Sequence, residues 1–132
     1  MESEQNYKRV FLAGSFWNWG VSIPLFALVW YLPTMIKIAD PLYPIFIYFN
    51  LMTVSMFGCV QYTVSKNPPG LRGFVKILAW SKFLTFFIFV GAVAMLKMPS
   101  ELTQFLAGGM VIDLLFGILF WRYLVFSKRN IA

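Results

Sequence analysis

The stretch VIDLLFGILFWRY, residues 111–123, sets one carboxylate in the middle of an apolar run. Val111, Ile112, Leu114, Leu115 and Phe116 flank Asp113, and no further charge follows until Arg122. The rest of the chain is built in the same way. Of its 132 residues, 60% are hydrophobic, 20% aromatic and 12% charged. Soluble domains carry about 45–50% apolar and about 25% charged residues. With so few charges a soluble fold of this length would not cover its own apolar surface. The composition therefore predicts an all-α integral membrane protein, with a single domain over residues 1–132.

Apolar segments of about 20 residues cross the hydrocarbon core as helices. Working outward from Asp113, such segments are expected at 102–126, 74–97, 44–65 and 10–32. The breaks between them are chemically distinct. LPTMIKIADPLYP (32–44) holds three prolines with Lys37 and Asp40, SKNPPGLRG (65–73) is a Pro-Pro-Gly turn with Lys66 and Arg72, and KMPSE (97–101) is short enough for a tight hairpin. The expected architecture is an antiparallel four-helix bundle. The polar MESEQNYKRV is followed by a long apolar run with no small-residue cleavage site. It reads as a retained first span and not as a removable signal.

Four spans put both termini and the 65–73 loop on one side of the membrane. That side carries Lys8, Arg9, Lys66, Arg72, Lys76, Arg122, Lys128 and Arg129, against Lys37 and Lys97 on the other. The positive-inside rule then predicts cytoplasmic termini, in the inner or plasma membrane of a cell. Trp30, Tyr31 and Tyr43 fall near the outer boundary, and Tyr62, Trp121 and Tyr123 near the inner one, where amphipathic rings prefer to sit. Trp17, Trp19 and Trp80 lie deeper and are expected to pack between helices, and Pro24 should kink the first span.

The net charge of +6 is distributed at the ends of apolar segments, a membrane pattern and not a nucleic-acid-binding face. The lone Cys59 excludes an internal disulfide and a dithiol pair, and is expected to be a small packing residue. The absence of histidine excludes an imidazole metal cluster and the usual haem ligation. No cofactor is called for by these residues.

Each span nevertheless contains a strongly polar side chain: Asn18, then Asn50 and Gln61, then Lys82, then Asp113. A charge at the bilayer centre costs about 2.5–3.5 kcal/mol on insertion scales, so such groups face the bundle interior and find partners. At about 1.5 Å per residue, Lys82 and Asn18 lie roughly 12 Å from the termini side and Asp113 roughly 18 Å. A lysine stem covers that offset. The expectation is a Lys82–Asp113 ion pair with Asn18 completing its hydrogen bonds, and with Gln61 and Asn50 bracketing the same half of the bundle. Gly109, Asp113 and Gly117 share one helical stripe, and Gly14, Asn18 and Ser22 another, both suited to close helix approach. The competing reading is structural: interhelical polar pairs often only fix register, at around 0.6 kcal/mol each.

FGCVQYTVSKNPPGLRGFVKILAWSKFL (57–84) resembles the second and third helices of small bacterial membrane proteins of the DoxX-like type. FWNWGVSIPL and DLLFGILFWRYL are similar to the first-helix Asn-Pro and last-helix Asp segments of the same group. Through this resemblance Asn18, Pro24, Lys82 and Asp113 match the group's polar positions. Some members are associated with quinone-using membrane redox complexes, which implies an accessory membrane subunit; many others have no assigned activity.

Three function classes follow. The first is an accessory or binding protein in the lipid bilayer, either a subunit of a larger membrane complex or homo-oligomer, or a binder of a lipid-like or quinone-like molecule. The alternative is a small transporter or proton-linked channel subunit using Lys82 and Asp113. An enzyme acting on lipids would need a nucleophile with a base, or a metal site, and neither is legible.

Overall fold

In the computed structural model, which describes residues 3–28, 31, 43–95 and 100–131, every regular element is a helix. The helices are α1 (Glu4–Leu28), α2 (Tyr43–Lys66), α3 (Arg72–Met95) and α4 (Ser100–Ile131). Trp30, Lys37, Asp40 and Lys97, and with them most of the first connection and the third, lie outside the described residues.

α1 begins six residues before the apolar run from Val10 because its first turn is closed by polar chemistry. The Ser3 hydroxyl accepts from the Asn6 amide at 3.2 Å, and Glu4 pairs with Lys8 at 2.9 Å one turn on. Between α2 and α3, the Asn67 side-chain oxygen accepts from the Gly70 amide at 3.1 Å, which folds Pro68–Pro69 into a tight turn.

Among the described residues, three helical segments are long and apolar enough to cross a membrane: Glu4–Leu28, Arg72–Met95 and Leu106–Lys128. Large apolar side chains point outward along them, among them Phe16, Ile23, Ile77, Leu84, Phe87 and Leu115. This surface suits lipid and not water. α2, at 24 residues, carries Asn50, Gln61 and several hydroxyl residues within an otherwise apolar sequence.

Two helix pairs form the closest contacts, α1 with α2 and α3 with α4, and the pairs meet more loosely. In the first pair Gly58 faces the Trp19 indole. A Cβ there would lie 2.5 Å from Trp19 Nε1, which instead donates to the Ser55 carbonyl at 3.2 Å. In the second, Gly117 leaves room for the Lys82 stem and the Phe83 ring, each 3.2 Å from where a Cβ would stand.

Among the described residues the packed core lies at the end of the molecule that holds the α2–α3 turn. Phe11 stacks on Phe120 at 4.9 Å, Tyr7 meets Tyr123 edge-on at 5.2 Å, and Val64, Val75, Leu78 and Ala79 close around them. Two residues differ from their sequence expectation. Trp80 is not between helices; it is more than half exposed and packs edge-on against Trp121 at 5.8 Å on the outer face. Cys59 is likewise exposed on α2.

Two substitutions test this packing. Gly58→Val drives a branched side chain into a rigid indole and should cost about 1–3 kcal/mol, read from thermal unfolding in detergent. Tyr123→Phe removes a buried hydroxyl that has no hydrogen-bond partner among the described residues, so stability should hold or rise by up to about 1 kcal/mol. A clear loss in the second variant would mean that the hydroxyl has a partner.

Candidate functional site

Where the core ends, a polar network crosses all four helices. Lys82 of α3 donates from Nζ to Asp113 Oδ1 at 2.6 Å and to Asn18 Oδ1 at 3.0 Å. Trp17 Nε1 donates to the same Asp113 oxygen at 3.3 Å. On the α1 side, the Asn18 backbone carbonyl accepts from Ser22 Oγ at 2.8 Å, and Ser22 Oγ accepts in turn from Ser55 Oγ of α2 at 2.8 Å. Helix register explains the assembly. Asn18 and Ser22 are one turn apart on the buried face of α1, and Lys82 follows Leu78 and Ala79 on the buried face of α3.

The pair is buried unequally. The Lys82 side chain retains 8% of its accessible surface and that of Asp113 retains 17%. A buried charge pair stabilises only when its geometry is good and its remaining hydrogen-bonding capacity is used. Here the ammonium has two acceptors, and the carboxylate has two donors on a single oxygen.

The incompletely buried carboxylate borders a cleft of about 340 Å³ between the helix pairs. Its polar end holds Asn18, Lys82 and Asp113, with Ser81 and Thr85 beside them. From there it runs along α3 past Ile88 and Phe89 to Ala92, ten residues or about 15 Å from Lys82. Val54 and Phe57 of α2 and Leu106 and Met110 of α4 form its other apolar walls. The volume lies within the range of about 300–1,000 Å³ typical of small-molecule sites.

The five polar residues singled out in the sequence thus separate into three positions. Asn18, Lys82 and Asp113 are in contact. Asn50 is exposed and lines the cleft away from them. Gln61 is fully buried on the core side, its amide facing Gly14, and neither its oxygen nor its nitrogen has a partner. Trp17, which sequence reasoning placed only as a packing residue, is a direct ligand of the carboxylate. The Ser22–Ser55 link was also not foreseen, since neither residue is distinguishable in the sequence from other helical serines. Among the described residues no group of acidic, cysteine or histidine side chains is placed to hold a metal ion. Comparison with protein-family models, curated proteins and solved structures finds no match.

Removing one partner of the pair strands the other. Lys82→Met should lower stability by about 3–5 kcal/mol, the usual cost of leaving a buried charge unpaired. The double variant Lys82→Met/Asp113→Leu should recover most of that loss. Thermal unfolding of the two single variants and the double closes the cycle, and additive losses would show that the residues are not coupled.

Proposed function

We propose that this chain is an accessory or binding protein of a cell membrane, and that its interhelical cleft takes a lipid-like or quinone-like molecule. In this reading all four helices span the bilayer as an antiparallel bundle, with both termini cytoplasmic. The eight-to-two distribution of basic residues between the two sides supports the orientation. In α2 the polar Asn50 lines the cleft and Gln61 is covered by α1, which suits a spanning helix. The DoxX-like resemblance of the polar positions belongs to the same reading.

The observation that carries the proposal is the composition of the cleft along its length. One end offers an ammonium, a carboxylate and hydroxyls, and the remainder is mostly aliphatic and aromatic, with Asn50 and Thr53 of α2 as its polar exceptions. A molecule with a compact polar head and a greasy body matches that gradient. A wholly polar solute would leave the apolar walls uncovered, and a wholly apolar one would leave Asp113 facing hydrocarbon. Asp113 and Lys82 would orient the head through hydrogen bonds, with no bond made or broken.

A second reading draws on the same 17% exposure of Asp113: a carboxylate reached from a cleft is also able to exchange a proton. Proton flux in liposomes that is abolished by Asp113→Asn would favour this transport reading over simple binding.

The binding reading is tested with the full chain in mild detergent. Decylubiquinone, a quinone with a short apolar tail, should quench tryptophan fluorescence saturably, because Trp17 contacts Asp113. Ala92→Phe fills the apolar arm and should weaken this binding at least about tenfold, the effect of roughly 1.4 kcal/mol, while the unfolding temperature is kept. Saturable quenching that is equal in the variant would place the probe elsewhere. No lipophile on native purification and no saturable quenching would remove the proposal.

A further inference from the structure

A second recess, remote from the apolar arm of the cleft, opens on the outer face at the packed end. It is a groove of about 990 Å³ between the start of α3 and the last turns of α4. Arg72, Lys76 and Lys128 line its rim, and Trp121 and Val125 form its apolar wall. Among the described residues no carboxylate lines it, and none of the three cations is in an ion pair. Arg72 is held in place: its guanidinium donates to the Leu124 carbonyl at 3.1 Å. Gly73 keeps the floor open, with nothing within 4 Å of where a side chain would begin.

We propose that this groove is a binding site for an anionic phospholipid. The headgroup phosphate lies among Arg72, Lys76 and Lys128, and an acyl chain runs down the wall past Val125 and Trp121 to the exposed Trp80. The argument rests on charge complementarity and on level. Three unneutralised cations at the end of helices that are apolar enough to span a bilayer sit where lipid phosphates lie. Lys76 and Trp80 are one turn apart on α3, as are Trp121 and Val125 on α4, so the surface changes from cationic to aromatic and aliphatic over about one helical turn. A lipid changes from phosphate to hydrocarbon in the same direction. A free phosphate ester would use the rim and leave the wall bare. An acidic protein segment would have to displace lipid from the exposed Trp80 and Trp121. Arg72 adds directionality, since a guanidinium already anchored by one donor still presents its remaining donors to a phosphate in a fixed plane.

The test uses the full chain in nanodiscs and in mild detergent, with phosphatidylglycerol and phosphatidylcholine supplied at equal concentration and retained lipid counted by native mass spectrometry. Phosphatidylglycerol should be retained at least about tenfold over phosphatidylcholine. In K76Q/K128Q its retention should fall about 25-fold, about fivefold for each cation near an anionic surface. G73F, which fills the floor and keeps every charge, should lose the same lipid. Ala92→Phe should leave it bound, which separates failure here from failure of the cleft reading. Equal retention of the two lipids would overturn the proposal, as would anionic retention unchanged in both groove variants. Glycerol 3-phosphate competing as well as the lipid would overturn it too, and so would a stable dimer that covers Trp121 and retains no lipid.

Discussion

The Lys82–Asp113 contact is the constraint on which the arrangement of helices depends. Neither group is tolerable alone among apolar side chains; α3 carries no acid, and the cation of α4 nearest in sequence to Asp113, Arg122, is nine residues away. α3 and α4 must therefore lie side by side at this level, and Gly117 allows it by leaving space for the lysine stem. The lysine then needs a second acceptor, which brings in Asn18 of α1, and α1 brings α2 with it through Ser22 and Ser55. One charge pair thus propagates into a network that ties all four helices at a single depth. Hydrophobic burial cannot do this in a lipid environment, where the tails outside are as apolar as the side chains inside.

That network also divides the molecule. On one side aromatic rings fill the interior, with Phe11, Phe120 and Tyr123 nearly sealed from solvent. On the other side the helix pairs separate and leave the cleft. A boundary of this kind is where a charged pair is most useful. Its buried face gains from low dielectric and fixed partners, and its open face remains reachable by a ligand or a proton. A pair sunk fully into the aromatic end would be structural only. A pair at the far end of the cleft would be reached from outside and would not tie the helices.

Much of this was legible in the sequence, and the reason is geometric. Helix existence follows from long apolar runs, and depth follows from a fixed rise per residue, so Asn18, Lys82 and Asp113 can be set within reach of one another by counting. Rotation about the helix axis is harder to read when hydrophobic residues surround the helix on every side. Trp80 is expected between helices and Cys59 as a small packing residue, yet both are exposed, because lipid-facing and protein-facing positions have the same chemistry. Trp17 was missed as a partner of Asp113 because its ring hides a single donor that becomes informative only when the opposite helix is placed. Gln61 illustrates the remaining gap. Its polarity marks it as interior, but only the fold reveals that it lies against Gly14 on the core side, away from Asn50.

The glycines show how the packed and open regions are encoded. Gly14, Gly58 and Gly117 each face a side chain so closely that a Cβ would displace it, and each brings a second helix inward. Gly91, Gly108 and Gly109 have nothing within 4 Å, although Gly109 shares its stripe with Asp113 and Gly117. A stripe of small residues is therefore not a helix contact by itself. At Gly117 the missing side chain is used by Lys82 and Phe83; one turn beyond Asp113, at Gly109, no described residue lies within 4 Å of that space. The change from one to the other occurs at the carboxylate.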